Sequence, residues 1–194
     1  SWAAIGARTA EAQTHRELAS GSSMPVGFKN GTDGSIDTAL NGMQSALGPH
    51  HFLGVTADGL PAVFCTTGNP HPHLVLRGGR TPNYDEATLR DCAARLEAKH
   101  LPRAIIVDCS HANSAKKPER QAVVLDDILG QLERGNGAIR GFMLESNLEP
   151  GSQPIPQDLS TLNPRVSVTD ACIGWDTTEQ LLRSAHARLQ RPGA

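Results

Sequence analysis

No apolar run in this 194-residue sequence comes near the roughly 20 residues that a membrane-spanning helix requires, and stretches such as Ala104–Val107 stop far short of it. Surplus positive charge is also absent: 18 Lys and Arg stand against 20 Asp and Glu, a net charge of -2. Affinity for a phosphate backbone rests on such a surplus, so nucleic acid is excluded as the main partner. Any anion site must be built locally. The four cysteines, Cys65, Cys92, Cys109 and Cys172, include no C-x-x-C pair, which excludes the patterns of a disulfide framework or a structural zinc site and reads as reduced cytosolic thiols. No internal repeat or low-complexity tract occurs. The chain opens on "SWAAIGART", with neither an initiator Met nor a secretory leader, and so reads as an interior sequence. A soluble, cytoplasmic protein is expected, as a fragment, a processed product or one part of a split protein. Hydrophobic residues at 38% and charged residues at 20% suffice for one folded domain.

What is present is alternation. Short apolar stretches at Ala3–Ala7, Pro25–Lys29, His73–Arg77, Ala104–Cys109 and Ala138–Glu145 read as strands. Between them lie helical patterns over Thr9–Ser20, ending at Gly21, over Ile36–Leu47, over Asp85–Lys99 with a stripe of Leu89, Cys92, Ala93 and Leu96, and after Pro118 with Val124, Leu125, Ile128, Leu129 and Leu132. This is the pattern of repeated βα units on a parallel sheet. His50–Thr56 and Ala62–Thr66 read as a hairpin around Asp58-Gly59, with Pro61 opening the return. Asp176–Leu189 reads as a closing helix with capping-box spacing at Asp176 and Glu179, and Glu149–Pro164 as the one long loop.

Polar residues recur at one place in these units. Arg8, Lys29, Arg77, His111 and Glu145 each fall at or just past the C-terminal end of a strand, and Asp170 follows the last one. Arg77, His111 and Glu145 are spaced about 34 residues apart, one βα unit each. In a (β/α) barrel the C-terminal strand ends converge on one face, so three cations and a His/Glu/Asp set are expected to share a cleft. Singly, each has a plainer reading: a solvated loop charge, a histidine hydrogen-bonded into the fold, a carboxylate capping the next helix. Jointly, imidazole with two carboxylates suits a divalent manganese, iron, cobalt or zinc ion. The cations beside it suit a small phosphorylated carboxylic acid.

The strings "GARTAEAQTHRELASGSSMPVGFKNGTDGS", "LRGG", "DCSHANS", "ESN" and "TDACIGW" closely resemble the microbial branch of the type I 3-deoxy-D-arabino-heptulosonate-7-phosphate (DAHP) synthases. The resemblance runs from Ser1 to the closing helix and is weakest over Glu149–Val166. It implies an α/β fold of the (β/α)8 TIM-barrel family, here only the last five βα units plus a β-hairpin insert, with residues 1–194 the C-terminal portion of one barrel domain. It also implies the first reaction of the shikimate pathway, condensation of phosphoenolpyruvate with erythrose 4-phosphate. By resemblance, Arg8 and Arg77 bind the phosphoenolpyruvate phosphate with backbone around Gly6 and Ala7, and Lys29 binds its carboxylate. His111, Glu145 and Asp170 match three divalent-metal ligands, Asp170 is also counted among the substrate-binding residues, and His111 and Lys29 are expected as the catalytic pair. A homo-oligomer is expected.

The family's "KPRT" segment and its metal-binding Cys lie in the first three strands, which this sequence lacks. The N-terminal half of the barrel is therefore an expected partner, in cis or in trans. Five parallel strands cannot close an eight-stranded barrel, so the free edges stay exposed. A non-catalytic interaction or regulatory subunit that keeps the anion pocket is the alternative, and an aldol-type synthase acting on another phosphosugar is a third reading. Cys109 reads as a packing residue, and His50, His51, His71 and His73 as surface or packing groups. In the family the hairpin helps form an inhibitor site for an aromatic amino acid, which singles out Ser23, Phe52 and Gly54.

Overall fold

The computed structural model describes residues 1–190, so residues 191–194 of the expected 1–194 span lie outside the described residues. The strands are β1 (Ala3–Ile5), β2 (Val26–Lys29), β3 (His51–Val55), β4 (Pro61–Cys65), β5 (Pro72–Leu76), β6 (Ile105–Asp108) and β7 (Ile139–Met143). The helices are α1 (Gln13–Gly21), α2 (Asp37–Leu47), α3 (Glu86–Ala98), α4 (Gln121–Glu133) and α5 (Trp175–Leu189). Five strands form one sheet in the order β1-β2-β5-β6-β7, parallel at every pairing. The expected α/β class with a parallel sheet is thus observed, and β3 and β4 stand apart as an antiparallel pair.

Side chains alternate across a strand, and that alternation decides which face is core. Val26, Phe28, Leu74, Leu76, Ile105, Val107 and Ile139 join one buried cluster with Leu40 and Met43 of α2, Leu89 and Leu96 of α3, and Leu125 and Ile128 of α4. The intervening residues lie outside that cluster. A Cβ on Gly27 would stand 2.6 Å from Val75 and 2.9 Å from His73, which puts these positions together on the opposite face. There Trp2 donates from Nε1 to His73 Nε2 at 2.7 Å, and Trp2, His73, Ile106 and Arg140 line a cleft of about 270 Å³. Among the described residues β1 pairs only with β2 and β7 only with β6, which leaves both sheet edges open.

Strand bounds shift by one or two residues, and three features at helix ends differ from the sequence expectation. Helix α1 begins at Gln13 rather than Thr9, because the Thr9 and Ala10 amides both turn back onto the Gly6 carbonyl. Gly21 ends α1 from inside the helix and Ser22 leaves it extended; what excludes a side chain at Gly21 is the Thr66 methyl, 3.0 Å from where a Cβ would stand. The capping box at Asp176 and Glu179 does not form, since α5 starts at Trp175 and Glu179 instead pairs with Arg183. Asp85 does cap α3, accepting from the Thr88 amide at 3.0 Å. The hairpin loop is the three residues Ala57–Asp58–Gly59, closed by the Thr56 amide on the Leu60 carbonyl, with Gly59 at φ +80°. The long loop contains one short 3-10 turn, Leu159–Thr161, capped by Asp158. Among the described residues no helix is long and apolar enough to cross a membrane.

The loops after β2 and β5 touch backbone to backbone. A Cβ on Gly79 would lie 2.2 Å from Gly34 Cα and 2.6 Å from the Asp33 carbonyl carbon. Gly79→Ala is therefore expected to destabilise by about 1–3 kcal/mol, the usual scale of overpacking. Urea unfolding checks it; an unchanged midpoint would mean that the two loops part freely.

Candidate functional site

Parallel strands deliver their C-terminal ends to one side, but the loops that leave them must still satisfy their backbone polar groups. Three buried asparagines do this. Asn30, directly after β2, accepts from the Arg77 amide at 2.8 Å and donates to the carbonyls of Gly31 (2.7 Å) and Gly78 (3.0 Å). Asn83 accepts from the Gly78 amide at 2.7 Å. Asn113 accepts from the Asn83 amide at 2.9 Å and donates to the Asp108 and Leu76 carbonyls. The ends of β2, β5 and β6 are thereby tied into one unit carrying Lys29, Arg77 and His111.

His111 sits in a tight turn with φ +54°, a conformation that side chains other than glycine rarely adopt. The Lys116 amide, donating to the His111 carbonyl at 2.7 Å, and the Ala112 amide on the Arg77 carbonyl at 3.2 Å hold it there. Its Nε2 lies 3.3 Å from Glu145 Oε1 and 3.6 Å from Asp170 Oδ2, and ligand atoms of the three lie within 4.8 Å of one another. Its Nδ1 points the other way, 3.0 Å from Asp108 Oδ2 and 2.7 Å from Ser110 Oγ. Gln121 holds Glu145 by the backbone, donating to its carbonyl at 3.1 Å and accepting from its amide at 2.8 Å.

Electrostatics separates the carboxylates. Burial pushes the Asp108 carboxyl up, but the His111 hydrogen bond and the Lys29 ammonium outweigh it and hold the group well below the usual carboxylate range. Burial pushes Glu145 up as well; His111 pulls it back, Asp108 and Asp170 repel its charge, and the net shift is upward. A dication among His111, Glu145 and Asp170 would relieve that repulsion, so the donor set fits the hard-to-borderline ion expected from the sequence.

Two clefts meet here. One of about 120 Å³ is lined by His111, Glu145, Asp170, Lys116, Arg8 and Arg77 among others. The second, about 270 Å³, contains Gly6, Ala7 and Lys29 and shares Arg8, Arg77 and His111 with the first. Every residue expected in the cation or metal set is brought to these two clefts.

The sequence profile of the DAHP synthetase I family matches residues 1–183. The chain belongs to that family. It is 51% identical over 189 residues to the Tyr-sensitive phospho-2-dehydro-3-deoxyheptonate aldolase of Salmonella typhimurium, covering 97% of this chain and 53% of that protein. The Tyr-sensitive enzyme of Enterobacter agglomerans is 50% identical over 190 residues, covering 98% of this chain and 89% of that sequence. A solved phospho-2-dehydro-3-deoxyheptonate aldolase of Francisella tularensis superposes with a TM-score of 0.91 at 43% identity, covering 97% of this chain and 55% of that one. The chain thus spans about half the length of most of the relatives it matches.

For this DAHP synthetase I chain, sequence reasoning missed the supporting polar residues. Asn30, Asp108, Ser110 and Asn113 lie inside the quoted motifs and Asn83 and Gln121 outside them; Asp108, at the end of an apolar strand, and Gln121, on the buried side of a helix, are polar where the pattern calls for burial, whereas the others lie in loops. Lys116 was missed because "AKKPER" reads as surface charge. Phe52 lines a separate groove of about 330 Å³ with Phe64, Leu18 and Gly21, which includes neither Ser23 nor Gly54; a Cβ on Gly54 would meet the Phe64 ring at 2.7 Å. Cys109 is fully buried in the core, and burial raises its thiol pKa.

Asn30→Leu keeps the size of the side chain and orphans the Arg77 amide. A loss of about 1–3 kcal/mol is expected for each buried group left without a partner. Denaturant unfolding measures it; wild-type stability in the variant would show that water replaces the amide at no cost.

Proposed function

We propose that this chain is the C-terminal part of a DAHP synthase barrel, its parallel strands the last five of eight, and that with the N-terminal half it condenses phosphoenolpyruvate with erythrose 4-phosphate. The observation that carries the reading is the His111–Glu145–Asp170 trio opening onto the same clefts as Arg8, Lys29 and Arg77. The half-barrel supports it too: a parallel sheet is normally covered on both faces, whereas here the positions of Gly27, His73, Val75 and Ile106 lie outside the helix-packed core. In the complete protein the remaining strands would cover that face and close both edges, and self-association into a homo-oligomer belongs to the same reading. Four free cysteines suit a cytoplasmic setting.

In this mechanism Arg8 and Arg77, with backbone around Gly6 and Ala7, grip the phosphate of phosphoenolpyruvate, and Lys29 holds its carboxylate. His111, Glu145 and Asp170 would hold a manganese, iron, cobalt or zinc ion, whose Lewis acidity would polarise the erythrose 4-phosphate aldehyde. C3 of phosphoenolpyruvate then attacks the aldehyde carbon, water adds at C2, and inorganic phosphate leaves. Lys29 Nζ shares Asp108 Oδ2 with His111, and from there the ammonium would donate a proton to the aldehyde oxygen as it gains charge. These are the roles of His111 and Lys29 as the catalytic pair.

Phosphate release by the complete protein should require both substrates, stop on chelation and return with manganese. Arg77→Ala should weaken phosphoenolpyruvate binding by about 1.5–3 kcal/mol, the scale of hydrogen bonds to charged groups. Calorimetry reads this directly, and unchanged affinity would leave Arg77 a structural residue. The isolated 194-residue chain should show no turnover and should self-associate; full turnover by a monomer would overturn the half-barrel reading and leave a rearranged, self-sufficient fold.

A further inference from the structure

Asp108 is in neither the expected cation set nor the expected metal set, yet both converge on it. Its side chain is 1% exposed. Oδ2 accepts from Lys29 Nζ at 2.7 Å and lies 3.0 Å from His111 Nδ1. Oδ1 accepts from the Ser110 amide at 3.0 Å and from Ser110 Oγ at 2.8 Å. Three donors and the His111 ring nitrogen therefore surround the buried carboxylate, so it has no face to offer an ion or a substrate. Its effect must pass through the groups it holds.

The direction of each bond follows from that inventory. Ser110 Oγ has a single proton, and given to Asp108 at 2.8 Å it leaves the oxygen only an acceptor for His111 Nδ1, 2.7 Å away. Nδ1 therefore carries the imidazole proton of the neutral ring, and Nε2 presents its lone pair toward Glu145 and Asp170. A carboxylate behind the distal nitrogen of a ligating histidine fixes the ring and strengthens it as a donor to a metal. The same oxygen draws Lys29 to a set place in the neighbouring cleft.

We propose that Asp108 is a positioning residue that sets the metal-binding tautomer of His111 and the place of the Lys29 ammonium through one shared oxygen, so that the metal subsite and the anion subsite are built on a single carboxylate. This rests on the divalent-ion reading given above. A buried carboxylate that served only to neutralise Lys29 would have no need of His111. Replacement by the amide of the same shape separates these roles. Asparagine has one acceptor oxygen, so whichever way it turns, its NH2 group faces donors, either those of Ser110 or those of Lys29 and His111.

The test uses the complete protein with Asp108→Asn. Cobalt(II) is titrated into the metal-free protein and followed by its visible absorption. The expected result is that cobalt affinity falls by about 10- to 100-fold, the usual effect of removing such an outer partner, and that at saturating metal the KM for phosphoenolpyruvate still rises. Wild-type cobalt affinity and wild-type KM in the variant would overturn the proposal while leaving the metal site intact. A wild-type protein that takes up no cobalt would remove the divalent-ion reading and this inference with it. If the variant does not fold, nitrogen-15 spectra of the zinc-loaded wild type decide: a protonated, hydrogen-bonded Nδ1 on His111 is the expected result, and a proton on Nε2 or zinc on Nδ1 overturns it.

Discussion

The constraint on which this architecture depends is the satisfaction of buried backbone groups where parallel strands end. A strand that stops beneath a functional cleft leaves amides and carbonyls with neither a ladder partner nor free water, and each such group costs about 1–3 kcal/mol if left alone. Here Asn30, Asn83 and Asn113, all at least nine-tenths buried, absorb the cost by bridging loops rather than by closing local turns. Because each amide both donates and accepts, one side chain fixes two loops at a defined distance. The positions of Lys29, Arg77 and His111 are consequences of that stitching as much as of the sheet.

The stitching also accounts for the unusual backbone at His111. A φ of +54° stores strain that an isolated loop would release by turning the ring elsewhere. The Asn113 amide on the Asp108 carbonyl and the Ala112 amide on the Arg77 carbonyl hold the loop from both sides. Strain and support together put Nε2, rather than a random ring edge, opposite Glu145 and Asp170. On the neighbouring strand Gln121 does the equivalent work from the first residue of α4, directly after the 3-10 turn Pro118–Arg120.

Much of this was legible in the residues, and the division between what was and was not has a physical cause. The five strands, the hairpin and the helical stripes of α3 and α4 follow from periodicity, which burial imposes along every element. The cations and the His/Glu/Asp trio were legible because charge directly after an apolar run is conspicuous. Asp108 escaped notice inside the "DCSH" motif, since a carboxylate in line with a strand looks like its end rather than a neutralised interior group. The start of α1 and the absent capping box at Asp176 were misplaced because a cap is decided by one turn of backbone geometry, and the neighbouring Gly6 carbonyl and Gly174 set that geometry. The spatial relation among Asn30, Asn83 and Asn113 had no local signature at all, since it joins residues from three separate loops.

The charges within the clefts bear on how an anion subsite and a metal subsite, as proposed, would sit together. Lys29, Arg8, Arg77 and Lys116 face the clefts as cations, while Asp108, Glu145 and Asp170 supply the negative charge. If the cations were dispersed evenly among the carboxylates, each would be neutralised in place and neither an anion nor a metal would gain much by binding. The structure instead satisfies Asp108 from within, through Lys29, His111 and Ser110, and leaves the two guanidinium groups and the Glu145 and Asp170 carboxylates facing the same cleft without pairing to each other. Among the described residues Arg8 and Arg77 have no carboxylate within ion-pair distance, whereas the exposed Arg134, Arg165 and Arg183 each have one. Separation of charge inside a partly desolvated cleft is costly, and it is lowered when a multiply charged anion and a dication arrive side by side. A cleft with this charge pattern is therefore most stable with an anion and a dication bound together, and the proposed condensation would draw on that preference.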